Sequence, residues 1–117
     1  GESQVTIWGT GEASREFLYA EDCARAIDLA IEKDIDPEPV NVGTGKEIKI
    51  KDLVAEIAAQ MGYAGEIIYD TSKPDGQPRR CLDTERAKAR LGFEAKTDFQ
   101  IGLKQTIEWF LGEQKCT

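Results

Sequence analysis

The sequence predicts a small mixed domain, α/β or α+β, of about four helices with several short strands. Three observations predict it. Short β-type runs alternate with stretches whose apolar residues recur at helical spacing. Gly or Pro punctuates nearly every junction between them. The 117 residues suffice for one domain with a core but not for two.

Val5-Thr6-Ile7-Trp8 reads as a strand, closed by the turn residues Gly9-Thr10-Gly11. Phe17-Leu18-Tyr19 is a second short apolar run. Cys23, Ala26, Ile27, Ala30 and Ile31 then share one face of a helix, with Glu21 and Asp22 in or just before its first turn, where acids complement the dipole. That helix ends near Lys33, ahead of Pro37 and Pro39.

Residues 39–42 read as a strand running into Gly43-Thr44-Gly45. A second helix presents Leu53, Val54, Ile57, Ala58 and Met61 and stops at Gly62. Its expected N-cap, near Lys49, is none of Ser, Thr, Asp or Asn. Glu66-Ile67-Ile68-Tyr69 reads as a strand. Asp83 or Thr84 caps a short helix holding Ala87 and Leu91, stopped by Gly92. Thr97 or Asp98 opens the last helix, which buries Leu103, Ile107, Phe110 and Leu111.

Lys+Arg 15 against Asp+Glu 22 gives a net charge of -7, which argues against a nucleic-acid partner and against docking on anionic membranes. No run is apolar and long enough to span a bilayer. With no histidine, Ser–His and Cys–His nucleophile pairs and His-containing zinc sites are excluded. Cys23, Cys81 and Cys116 are scattered, so the expectation is free thiols in a cytoplasmic protein and no metal site.

Against this acidic background, residues 72–80 place Lys73, Arg79 and Arg80 around a turn stiffened by Pro74, Gly76 and Pro78. Such a loop holds its shape before anything binds and suits a small, locally held anion. Arg15 adds a bidentate fork for phosphate, and Trp8 a flat apolar face for a sugar or base.

Three other patterns carry less. Gly9-Thr10-Gly11 reaches Ser14 where a dinucleotide fingerprint needs its third Gly, and Gly43-Thr44-Gly45 reaches Ile48. Both read as turns. Tyr69 and Lys73 match the spacing of a catalytic Tyr-x-x-x-Lys pair, but Tyr69 ends a strand and Pro74 disfavours helix at Lys73.

Taken in order, Val5-Thr6-Ile7-Trp8-Gly9-Thr10-Gly11, Arg15-Glu16-Phe17-Leu18-Tyr19-Ala20-Glu21-Asp22 and Asn41-Val42-Gly43-Thr44-Gly45 resemble the C-terminal half of extended short-chain dehydrogenases acting on nucleotide sugars, the NAD-dependent epimerase/dehydratase family. Residues 72–80, then Leu82-Asp83 and residues 87–92, are similar to the GDP-sugar epimerase/reductase branch. The resemblance implies that residues 1–117 are the C-terminal nucleotide-sugar-binding domain of a Rossmann-type two-domain enzyme. The N-terminal Rossmann domain, with NADP and the hydride and proton chemistry, would lie outside this chain. No catalytic residue is then expected here, and the segment alone would be inactive. Trp8, Arg15 and Arg80 match substrate-binding positions, Arg15 and Arg80 at the diphosphate, while Lys73 helps shape or charge the loop. A GDP-sugar substrate and a homodimeric full-length enzyme follow from the same resemblance. Two alternatives remain: a UDP- or dTDP-sugar epimerase or dehydratase, and a stand-alone binding or regulatory module.

Overall fold

A computed structural model describes residues 3–33 and 37–114. The chain runs β1 (Gln4–Trp8), β2 (Ser14–Glu16), α1 (Ala20–Glu32), β3 (Glu47–Lys49), α2 (Ile50–Met61), β4 (Glu66–Asp70), α3 (Glu85–Leu91) and α4 (Phe99–Gln114). β1 pairs in parallel with β4, Gln4 opposite Glu66 through Trp8 opposite Asp70. β2 pairs antiparallel with β3, Arg15 opposite Ile48. The mixed fold class and the four helices match the expectation from sequence.

The strands differ from it in three places. Residues 39–42 form none: Pro39 has no amide to offer a ladder, and Val40 and Val42 pack on the core instead. β2 and β3 were not anticipated, because Ser-Arg-Glu and Glu-Ile-Lys carry no apolar alternation. α2 therefore springs directly from β3. Its N-cap is Lys49, which makes no side-chain cap. The carbonyls of Ala13 and Gly11 accept instead from the amides of Ile50 and Lys51, both at 2.9 Å. Loop carbonyls thus satisfy first-turn donors that a Ser or Thr would otherwise take.

Gly62 and Gly92 stop α2 and α3 with φ of 65° and 66°. The N-cap of α3, Thr84, makes no side-chain cap; Asp83, just before it, accepts from the Glu85 amide at 2.9 Å, and Asp98 caps α4 through the Gln100 amide at 2.9 Å.

The buried core is Ala26, Ala87, Leu91 and Phe93, with Leu18, Leu29, Ala30, Val40, Val42 and Ala95 packed against it. α1 meets it with a narrower stripe than its sequence suggests. Ala26 is buried, while Cys23 is exposed and Ile27 and Ile31 are 57% and 74% exposed. On α4, Leu103 and Ile107 are half-buried, but Phe110 and Leu111 are exposed. The radius of gyration is 17.2 Å, against roughly 13 Å for a compact chain of this length. Much apolar surface is left uncovered in this elongated arrangement. Cys23 and Cys81 are free thiols; Cys116 lies outside the described residues.

Asp22 is the one buried charged side chain among the described residues. It receives the Arg25 guanidinium at 2.9 Å and the amides of Lys96 and Thr97, pinning the start of α1 to the segment before α4. Burial pushes its carboxyl upward, but Arg25, Thr97 and Lys96 outweigh that and hold it well below the ordinary range. A depressed folded value stabilises the fold fully above the unfolded pKa of about 3.9, and that contribution is lost as pH falls through the folded value. Asp22→Asn should therefore cost about 1.5–3 kcal/mol at pH 7. In urea unfolding from pH 7 to 2, the gap between variant and parent should narrow below about pH 4. A gap independent of pH would remove the charge from this account.

Candidate functional site

β1 delivers Trp8 to the end of the parallel pair, where it is 72% exposed. The Gly9 amide donates to the Asp70 carbonyl at 2.9 Å, and the chain then turns into β2, which carries Arg15. β4 leaves the same sheet end into the basic loop. Asp70 starts that loop as a turn, accepting from the Ser72 amide at 3.0 Å and hydroxyl at 2.5 Å.

The loop then lies back along β2. The Ser14 amide donates to the Pro78 carbonyl at 3.0 Å, and the Arg80 amide to the Ser14 carbonyl at 3.3 Å. Arg15 Nη1 donates to the Gln77 carbonyl at 2.7 Å and to the Ser14 carbonyl at 2.6 Å. Glu47, on β3, takes Arg79 Nε at 2.6 Å and the Ser14 hydroxyl at 2.8 Å. Those two donors, Ser14 first, hold its carboxyl below the usual range. Arg79 is thus committed to Glu47.

Arg15 and Arg80 line one cleft of about 360 Å³ with Glu16, Phe17, Leu18, Val42 and Leu82. Arg15 is half-buried and Arg80 exposed. Glu16 turns its charge away from ligand duty. It accepts from the Thr44 amide at 2.6 Å, the Leu82 amide at 2.9 Å and the Cys81 thiol at 3.4 Å. Burial raises its carboxyl, but these donors outweigh that, so it sits below its ordinary value. Burial and then Glu16 push the Cys81 thiol up, away from the nucleophilic thiolate.

The structure thus gathers two of the four sequence-derived site residues in one cleft. Trp8 and Lys73 do not line it; they meet each other, with Lys73 Nζ 5.7 Å from the Trp8 ring centroid. Tyr69 and Lys73 serve different neighbours, Tyr69 against Gly11 and Lys73 over Trp8. In the first Gly-Thr-Gly turn Asp75 accepts from the Thr10 amide, and in the second Glu16 accepts from the Thr44 amide.

Sequence reasoning missed Glu16, Glu47, Asp75 and Thr10. Only Asp75 left a local hint, as a lone acid inside a cationic Pro/Gly turn. The other three act on partners distant in sequence.

The NAD dependent epimerase/dehydratase family model matches residues 1–43. A GDP-L-fucose synthase of Sinorhizobium fredii is 39% identical, over 92% of this chain and 34% of its own length. The GDP-L-fucose synthase of Escherichia coli is 40% identical, over 94% of this chain and 37% of its own. Among solved structures, a UDP-glucose 4-epimerase from Thermotoga maritima with UDP-glucose superposes with a TM-score of 0.86 at 35% identity, over 95% of this chain and 36% of that one. The chain thus spans about a third of the length of the curated relatives it matches.

Proposed function

This chain belongs to the NAD-dependent epimerase/dehydratase family, and from that premise we propose that it is the nucleotide-sugar-binding part of a GDP-sugar epimerase/reductase, acting on GDP-4-keto-6-deoxymannose. The observation that carries this reading is the cleft shared by Arg15 and Arg80. Two guanidinium groups beside one opening suit a diphosphate, which takes planar forks bidentately.

Arg15 Nη1 is occupied by carbonyls, while its Nε and Nη2 keep donors for a ligand. Outside that cleft, the exposed Trp8 offers an apolar face and Lys73 adds charge above it. The net charge of -7 opposes an anion only at long range, because the Debye length at physiological salt is about 8 Å. Local cations decide binding once the ligand arrives.

In the whole enzyme the reaction is two epimerisations beside a ketone, then hydride reduction of that ketone. NADP, when bound, would supply the hydride. In this reading the dinucleotide is held by a Rossmann half and not by the two Gly-Thr-Gly turns, where Asp75 and Glu16 take the Thr10 and Thr44 amides. The residues here bind and orient the substrate, and the full-length enzyme is a cytoplasmic homodimer in this reading.

The test is an amide NMR titration of the chain with GDP, UDP and dTDP. Saturable, GDP-selective shifts at Trp8, Arg15 and residues 72–80 are expected. UDP preference would instead favour a UDP-sugar epimerase, the reading that the Thermotoga maritima likeness supports. A folded chain without shifts moves the titration to the full-length protein, where failure to bind any of the three overturns the assignment.

A further inference from the structure

Within the basic loop, Asp75 carries a negative charge into the neighbourhood of a site that should favour anions. Its carboxylate is fully engaged. Oδ1 accepts from the Thr10 amide at 2.6 Å and Oδ2 from the Thr10 hydroxyl at 2.6 Å. The hydroxyl is itself oriented, because its oxygen accepts from the Glu12 amide at 3.2 Å. Those two Thr10 donors, the hydroxyl first, draw the Asp75 carboxyl below its ordinary range.

Gly9 makes the contact possible. It has φ of 86°, and the carboxylate of Asp75 occupies the space a side chain there would need. Thr10 belongs to the short connection between Trp8 and Arg15, and Asp75 to the loop that ends at Arg80. The contact therefore joins the two segments that supply the arginine cleft. It is also exposed, so the core does not enforce it.

We propose that Asp75 and Thr10 form a latch that positions the 72–80 loop for the diphosphate, making both of them positioning residues for nucleotide-sugar binding. This rests on the assignment of Arg15 and Arg80 as diphosphate ligands. With the latch closed, Arg80 arrives placed beside Arg15. Opened, residues 72–76 lose this hold while the Ser14 contacts with Pro78 and Arg80 remain, so the ligand must order that part of the loop, which subtracts from affinity.

The direction of the effect separates positioning from plain charge. By Coulomb's law alone, neutralising an acid near a bound diphosphate tightens binding. A latch predicts the reverse. In the full-length enzyme, Asp75→Ala should raise the nucleotide-sugar KM roughly threefold to tenfold, the effect of ordering one or two side chains on binding. The kcat and the dinucleotide KM should change less than about twofold. Thr10→Val should act in the same direction, Thr10→Ser should restore the parent value, and the Asp75→Ala/Thr10→Val double variant should be no worse than the stronger single.

Unchanged or tighter substrate binding in Asp75→Ala, alongside weaker binding in Arg80→Ala, overturns the latch and leaves the diphosphate assignment standing. Unchanged binding in both Arg15→Ala and Arg80→Ala overturns that assignment and the latch with it. Additive losses in the double variant would show two separate roles and also sink the proposal.

Discussion

Alanine in place of Arg15 or Arg80 is expected to weaken binding of the nucleotide sugar roughly tenfold to a hundredfold, while Lys104→Ala leaves it unchanged. In the proposed site each arginine would supply charge-assisted hydrogen bonds to the diphosphate, with about 1.5–3 kcal/mol at stake. Arg15→Ala should be the worse of the two, since it also releases the Gln77 carbonyl that holds the loop. Arg80 makes no side-chain hydrogen bond or ion pair among the described residues, so its loss reports on ligand contact alone. Lys104 lies on α4, outside the residues that line the arginine cleft, and among the described residues it has only a long pairing to Glu108, 3.9 Å away. Calorimetric titration of the full-length enzyme with GDP-sugar or GDP reads all three. Equal losses across them would mean that the cleft is not the diphosphate site.

The largest expected effect on stability is at Phe93. Phe93→Ala should cost about 3–5 kcal/mol, the usual range for deleting a buried aromatic ring. Phe93 is 1% exposed and shares its cluster with only Ala26, Ala87 and Leu91 as fully buried neighbours. Two of those three are alanines, which offer little bulk to collapse into the hole. Its ring also lies 4.9 Å under the Arg25 guanidinium that serves Asp22, so the loss loosens the polar anchor as well. A domain's whole stability is about 5–15 kcal/mol, so this change removes much of it. Ile31→Ala, at a position 74% exposed, should stay within about 0.5 kcal/mol. Urea unfolding of both variants provides the comparison; similar midpoints would contradict the core described above.

Helices were legible in the sequence wherever apolar spacing and a terminal Gly agreed, as in α2 and α3, even though the start of α2 carries no side-chain cap. The buried face of α1 was not. Periodicity shows that a stripe exists but not how much of it is covered, and Ile27 and Ile31 stay largely exposed. β2 and β3 were invisible because three-residue strands of polar side chains owe their pairing to register, not to burial. Asp22 was read as a favourable charge at a helix start, a local role that is real but secondary. Its contacts with Lys96 and Thr97 span most of the chain, and no local pattern encodes them. The candidate site followed the same rule. The cations stood out by charge contrast in residues 72–80, whereas the carboxylates that hold them in place, Glu47 and Asp75, were ordinary acids until the fold brought their donors near.

The amides at the start of α2 have a consequence for how such a site changes over time. Those of Ile50 and Lys51 are given to the carbonyls of Ala13 and Gly11. A pocket built from main-chain groups passes unchanged through almost any substitution. Here the proposed anion grip rests on arginine side chains instead, each removable by a single codon change. On the proposed reading, descendants of this fold can therefore lose or weaken the grip on the diphosphate, the part all nucleotide sugars share, by editing Arg15 or Arg80, while the turn, the helix start and the domain itself are inherited intact.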